Sequence, residues 1–364
     1  MNEAREKVLG ALAGVMSPVL KRPLTDAGLI KEVTVEGTTV SLRVVELGQD
    51  EEARASVEKE IRAALAGAGF EDAKVAWETR VYGRDIGPDD PVPEVKNIVL
   101  VMSGKGGVGK STVASNLTMA LRRAGWPVGL LDADIYGPSV PTMFGIMGKP
   151  MSKDGVKIEP LERFGVKLMS IGFLLEDPKA AVIWRGPMLH GALTQFLKDV
   201  AWGKLDYLVI DLPPGTGDVA LTLSQRAKVT GAVMVTTPQE VALQDVYKAV
   251  SMCERLGIPV LGVVENMSYF VDTAGVRHEL FGAGGGARVA EMANAPLLGQ
   301  IPIDPTVREC GDEGTPVVQA KPASPIAQSF AAVANELTSV IASRYFQEAG
   351  GAAPTERKRL KIVR

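Results

Sequence analysis

Cysteine is nearly missing from this chain: Cys253 and Cys310 are the only two in 364 residues. A disulfide-stapled scaffold is excluded, and so is any C-x-x-C pair for zinc or a cluster. So little cysteine fits a reducing, cytoplasmic setting. Long hydrophobic runs are missing too. No stretch of 18 apolar residues occurs, so no membrane-spanning helix is expected. The opening MNEAREKVLGALAGVMSP puts no cationic stretch ahead of an apolar core, so no secretory signal is expected. Charge of one sign is also scarce, with 40 Lys and Arg against 43 Asp and Glu and a net charge of −3. Without a basic field, nucleic acid is not an expected partner; nor is a membrane, since the few apolar residues of the closing TERKRLKIVR cannot form a wide stripe. Glycine (39) and proline (23) cluster at particular places instead of repeating, which excludes collagen-like and low-complexity chains.

What is present is ordinary globular material, 46% hydrophobic and 23% charged. That is enough apolar surface to offset chain entropy, and the length predicts about two domains. Residues 1–82 read as a small α/β unit. Glu3 to Gly14 places Val8, Leu9, Leu12 and Val15 on one side of a helix. KEVTVEGTTVSLRVVEL alternates around Glu36-Gly37 as a hairpin. Ala53, Val57, Ile61 and Leu65 restore helical spacing, and Ala73 to Arg80 alternates again, giving the order α-β-β-α-β. GRDIGPDDPVPEVK, residues 83–96, reads as a linker because of its prolines and acids. From 97 to 347 the pattern is one of continuous apolar runs, NIVLVM, VGLLDAD, YLVIDLP, GAVMVTT and VLGVVEN, separated by helical segments. Strands apolar on both faces imply a doubly wound, mainly parallel α/β sheet. Residues 348–364 are small, polar and basic, and read as a flexible tail.

The sharpest motif is SGKGGVGKST, residues 103–112, between the strand NIVLVM and the helical run TVASNLTMALRRAG. Gly104, Gly109, Lys110 and Ser111 satisfy G-x-x-x-x-G-K-[ST], the phosphate loop. Its glycines, with Gly106, Gly107 and Val108, let successive N–H groups face phosphate oxygens. The helix that starts at the site adds its positive end. Lys110 is expected to reach the β/γ-phosphates and Ser111 to offer its hydroxyl to Mg²⁺. The same glycines also spell G-x-G-x-x-G, with Asp132 near the place of a dinucleotide fold's ribose-binding acid. Three features oppose that rival. Lys110-Ser111-Thr112 would be gratuitous in a dinucleotide loop, Asp134 follows Asp132, and Asp211 ends the apolar strand YLVID where a Walker B acid belongs. No NKxD guanine motif occurs, which favours ATP over GTP.

An ordinary phosphate loop needs no cation at Lys105. With it, GKGGVGKST is the deviant Walker A signature, and the chain resembles the MinD, ParA and nitrogenase-iron-protein class of ATPases. Within that class it is similar to the Mrp/ApbC group of iron–sulfur cluster carrier ATPases. The segments that carry the match are DADIYGPSVPTMFG (132–145), WRGPM (184–188), DLPPGTGD (211–218), VENMS (264–268) and FGAGGG (281–286). The N-terminal unit resembles a small domain fused to many bacterial members, which also occurs alone in cluster-assembly proteins. The resemblance implies an ATP-binding, slowly hydrolysing homodimer that carries iron–sulfur clusters, of [4Fe–4S] type, to apo-proteins and works with assembly factors. It implies that Lys105 crosses the dimer interface to the partner's nucleotide. Such a group acts like an arginine finger, worth about 10³–10⁵ in rate elsewhere. It implies that Asp134 sits in switch I and activates the attacking water, its alternative being a helix cap. Asp211 would orient Mg²⁺ through water, alongside Ser111 and Asp134. Asn266 would hydrogen-bond adenine, its alternative being a turn residue, and Pro302 to Pro305 would pack beside the base. Arg185 and His190, in WRGPMLHGALTQFL, are assigned to an interface.

The chain departs from that group in one segment. A CxxC pair is expected just after NMS, where NMSYFVDTAGVRHELFG places Asp272 and no cysteine. Cys253, Cys310 and His278 remain as candidate cluster ligands; the ordinary readings are packing thiols and a solvated histidine. FGAGGGARVAEMA reads as a turn into a helix and not as a second nucleotide loop. Two other functions stay open: a MinD/ParA-type positioning ATPase, and a nucleotide-dependent assembly scaffold that binds no cluster itself.

Overall fold

Residue periodicity switches once along the chain, and the architecture switches with it. The computed structural model describes residues 2–48, 51–134, 137–152, 155–174, 186–215 and 217–349. Contacts group them into two units, Met1–Tyr82 with Thr338–Arg364, and Gly83–Leu337.

In the first unit, α1 (Asn2–Ala11) is followed by β1 (Ile30–Glu36) and β2 (Thr39–Glu46), an antiparallel hairpin closed by Gly37 and Thr38. α2 (Glu51–Gly67) returns the chain as β3 (Asp72–Thr79), parallel to β2. Inward residues of the period-2 strands (Val40, Leu42, Val44) meet the helical stripe Val8, Leu12, Val57, Ile61 and Leu65 in one core. Ala342 and Phe346, from the end of the last helix, lie in that same core. The boundary drawn at 347 on the sequence therefore differs from the contact grouping, which passes to the first unit at Thr338. Phe346 is 2% exposed there, and its ring is buried with Ala342 in that core.

The segment 83–96 also differs from a free linker. It belongs to the second unit. The Arg84 guanidinium is buried, forks onto both oxygens of Asp90, and donates to the Val92 carbonyl at 2.8 Å. Proline and acid content suggested a spacer; a buried bidentate ion pair makes it part of the fold.

The rest of the second unit runs β4 (Val95–Met102), α3 (Lys110–Arg123), β5 (Val128–Asp132), α4 (Val140–Met143), β6 (Leu161–Arg163) and β7 (Val166–Ser170). It continues with α5 (Gly186–Lys198), β8 (Leu205–Asp211), α6 (Gly217–Arg226), β9 (Gly231–Thr236), α7 (Glu240–Leu256) and β10 (Val260–Glu265). A short hairpin, β11 (Phe270–Val271) and β12 (Arg277–His278), precedes α8 (Gly285–Met292), β13 (Leu297–Gln300), α9 (Pro305–Asp312), α10 (Val317–Ala320) and α11 (Pro325–Glu348), which passes to the first unit at Thr338. Eight strands form one sheet in the order β13-β10-β9-β4-β8-β5-β7-β6. Every pairing is parallel except β6 with β7. The doubly wound, mainly parallel sheet expected from the continuous apolar runs is what the chain forms. In a dinucleotide-binding half the first two strands are neighbours. Here β8 lies between β4 and β5, which removes the dinucleotide rival. No helix among the described residues is long and apolar enough to cross a membrane.

Candidate functional site

The carboxyl ends of β4, β5, β8 and β10 carry the residues singled out on the sequence, where open parallel sheets place ligand sites. After β4, residues 103–109 curl back and enter α3 at Lys110, with Gly109 as N-cap at φ 79° and no side chain capping the helix. The first-turn N–H groups therefore face the loop's own concavity, ready for an anion. Two glycines are required by close approach. A Cβ on Gly104 would lie 2.2 Å from the backbone of Asp245 and Val246 in α7, and one on Gly109 would lie 2.3 Å from Asn266 Nδ2. Gly106 and Gly107 are exposed, Val108 is buried, and Lys105, Ser111 and Thr112 are half-buried. The Lys105 carbonyl accepts from the Ser103 hydroxyl at 3.0 Å.

Lys110 is buried among acids. Its ammonium donates to Asp211 Oδ1, stands 3.2 Å from Ser111 Oγ and lies 3.6 Å from Asp134 Oδ2. Among the described residues, the second oxygen of Asp211 is buried without a hydrogen-bond partner. Burial pushes the Asp211 carboxyl up; Lys110 and the Ser111 hydroxyl pull the other way, and the charge of Asp134 adds to the rise. Asp132 pairs with Asp211 across the β5–β8 ladder. It is fully buried and is pushed up to about 7, first by burial and then by the charge of Asp211. Its two oxygens accept from Asp134 N (3.1 Å), Val140 N (3.2 Å) and Ser170 Oγ (3.0 Å). A ribose-binding acid would need those oxygens free. Asp132 instead ties down the chain that carries Asp134. The N-cap position of α4 is held by Ser139, five residues beyond Asp134.

The segment after β8 joins the loop through Gly215 N, which donates to the Ser103 carbonyl at 3.1 Å. Asn266 is buried, and its Nδ2 donates to the Val108 carbonyl at 2.9 Å. Pro302 is half-buried, and Asp304 caps α9 by accepting from Thr306 N at 2.8 Å. The structure thus brings Lys110, Ser111, Asp134, Asp211 and Asn266 around one loop.

The other candidates stand apart. Cys253 is fully buried in α7 with its sulfur 3.6 Å from that of Met102, and burial pushes its thiol up to about 12. Cys310 is buried in α9, and burial raises its thiol also. Asp272 closes the β11–β12 turn. It accepts from Ala274 N and Val276 N, both at 2.9 Å, and pairs with His278 Nε2 at 2.7 Å; the histidine hydrogen bond holds the Asp272 carboxyl below its ordinary range. His190, on α5, meets the Thr222 hydroxyl of α6. That hydroxyl also donates to the Asp218 carbonyl at 2.7 Å. Arg185, Thr216 and residues 350–364 of the tail lie outside the described residues. Sequence reasoning missed Glu265. Its signal was a single acid closing an otherwise apolar strand, VLGVVE.

A family model described as NUBPL iron-transfer P-loop NTPase matches residues 94–338, and one described as iron-sulfur cluster assembly protein matches residues 5–77. An iron-sulfur cluster carrier protein of Deinococcus radiodurans is 45% identical over 96% of this chain and 98% of its own length. One from Synechocystis is 44% identical over 91% of this chain and 96% of its own length. Among solved structures, a nucleotide-binding protein in complex with ADP from Archaeoglobus fulgidus is 43% identical. It covers 65% of this chain and 92% of its own, with a TM-score of 0.56. The Pyrococcus furiosus cell division ATPase MinD is 27% identical over 66% of this chain and 98% of its own, with a TM-score of 0.50.

Proposed function

The chain belongs to the family of NUBPL-type iron-transfer P-loop NTPases, and from that premise we propose that it hydrolyses ATP as a cytoplasmic homodimer and carries iron–sulfur clusters to apo-proteins. The observation that carries the ATPase reading is the buried Lys110, held by Asp211 beside Asp134 at the head of α3. The loop is an anion cradle whose cation is parked on an acid until phosphate replaces it. The donor set fits Mg²⁺, since Ser111, Asp134 and Asp211 offer hard oxygens and, among the described residues, one Asp211 oxygen is buried without a partner. Ser111 and, through water, Asp211 would hold the ion, which supplies charge neutralisation at the phosphates. The N–H groups of 104–111 bind and orient the phosphates, Asp134 orients the attacking water, and Lys105 reaches the partner subunit's nucleotide. In the test, Asp134→Asn lowers phosphate release by about 10²–10⁴-fold while ATP affinity is kept. An unchanged rate removes Asp134 from the chemistry.

The cargo reading is supported by relatives named iron-sulfur cluster carrier protein and by the second family model over residues 5–77. One observation favours the scaffold alternative. Both thiols of the chain are buried, and the hairpin at Asp272 is closed on itself. Anaerobic reconstitution with iron and sulfide separates the two, with Cys253→Ser and Cys310→Ser alongside. A stable cluster lost in one variant supports the carrier and names a ligand. No cluster in any sample moves the cargo role to a partner and favours the scaffold.

A further inference from the structure

Glu265 closes β10 fully buried, and its carboxylate joins three elements. One oxygen accepts from Gly286 N, in the first turn of α8, at 2.5 Å. The other accepts from Gln300 Nε2 at the end of β13 (2.7 Å) and from the Ser268 hydroxyl in the turn after β10 (2.5 Å). All three partners are neutral donors. A carboxylate this deep is costly unless its oxygens are hydrogen-bonded, and these three bonds meet that cost. The last glycine of FGAGGG, Gly286, gains its reason here. A Cβ on Gly286 would lie 2.7 Å from Glu265 Cβ, so only glycine lets α8 approach the carboxylate.

The turn that Glu265 holds is the one that carries Asn266. Met267 sits there at φ 53°, the left-handed region that costs a non-glycine residue. Ser268 N donates to the Ile301 carbonyl and Ile301 N to the Glu265 carbonyl, both at 2.9 Å. The strained turn is therefore stitched to the segment leading into Pro302, and its side-chain stitch is the Glu265–Ser268 bond. Asn266 then rests on the phosphate loop through Val108, and among the described residues its amide oxygen accepts no hydrogen bond.

We propose that Glu265 is a positioning residue for base recognition. It locks the 266–268 turn, so that the Asn266 amide oxygen is presented to the exocyclic amine of adenine. This rests on the reading of Asn266 as the base contact. The test compares Mg-ATP with magnesium tripolyphosphate, which engages the phosphate loop but carries no base. Affinities are measured by calorimetry for the full chain and for Glu265→Gln, Ser268→Ala, Gln300→Leu and Asn266→Ala. The expected result is that Glu265→Gln weakens ATP by about tenfold, the equivalent of one lost hydrogen bond, with tripolyphosphate unchanged. Asn266→Ala behaves likewise. Should Glu265→Gln lose its native circular dichroism, Ser268→Ala and Gln300→Leu carry the same comparison from the rim of the network. Equal weakening of both ligands makes Glu265 a packing residue and overturns the proposal, as does no change in either. If Asn266→Ala loses base preference and the Glu265 network variants do not, the proposal alone falls. If Asn266→Ala keeps base preference, the Asn266 reading fails and the proposal goes with it.

Discussion

Replacing Asp90 by asparagine should unfold the second unit at a markedly lower temperature. Arg84 and Asp90 have side chains 0% and 4% exposed, and the guanidinium forks onto both carboxylate oxygens. Asparagine keeps one acceptor oxygen, which can still serve Val92 N. It turns an NH₂ toward Arg84 Nη1, donor against donor, and removes the counter-charge that Arg84 pairs with. Among the described residues the Arg84 Nε is already buried without a partner, so the cation has little left to share the load. Breaking a buried pair from one side costs about 3–5 kcal/mol. For a unit of this size, about 2–4 °C per kcal/mol gives a fall of about 6–20 °C. The assay is differential scanning calorimetry, following the transition that rises with Mg-ATP. Arg84→Met with Asp90→Leu should recover most of the loss, because apolar replacement of both partners is often neutral. The unsatisfied Val92 N left behind costs about 1 kcal/mol. Asp85→Asn, which breaks an exposed pair whose side chains are 58% and 80% exposed, should change stability by less than about 1 kcal/mol. A fall below about 2 °C for Asp90→Asn, or a double variant less stable than the single one, would refute the reasoning.

Gly104→Ala places a methyl 2.2 Å from the α7 backbone, which cannot rotate away. The loop must shift, and kcat/KM for ATP should fall by about 10²-fold or more. Lys105→Ala should keep ATP affinity and lower phosphate release by about 10³-fold or more. An unchanged rate together with unchanged nucleotide-dependent dimerisation on a sizing column ends the reading of Lys105 as a group acting across the dimer. Both thiols are buried, and the Cys253 thiol is pushed up to about 12 by burial, so it stays protonated well above neutral pH. A thiol reagent at pH 8 should leave the native protein unlabelled and label two cysteines after denaturation; fast native labelling contradicts the packing described.

The local parts of this protein were legible as a string. A phosphate loop is built from contiguous residues whose backbone does the binding, so SGKGGVGKST specifies its own chemistry. Continuous apolar runs announced parallel strands, and alternation announced the first sheet, because each pattern reports which faces are buried. Composition misled at 83–96, since proline and acid content cannot show that Arg84 and Asp90 find each other in a buried pocket. Glu265 passed unnoticed because its three partners, Ser268, Gly286 and Gln300, come from separate elements.

The sequence alone determined that a phosphate-binding loop stands between a buried strand and a helix, on a sheet of parallel strands. Only the tertiary structure decided that β8 inserts between β4 and β5. That insertion sets Asp211 opposite Asp132 and under Lys110, which removes the dinucleotide reading that the same glycines allow. The tertiary structure also gave the end of the last helix to the first unit's core. The physical reason is common to both: strand order and core membership are set by contacts between residues far apart in the chain, and no local periodicity carries them.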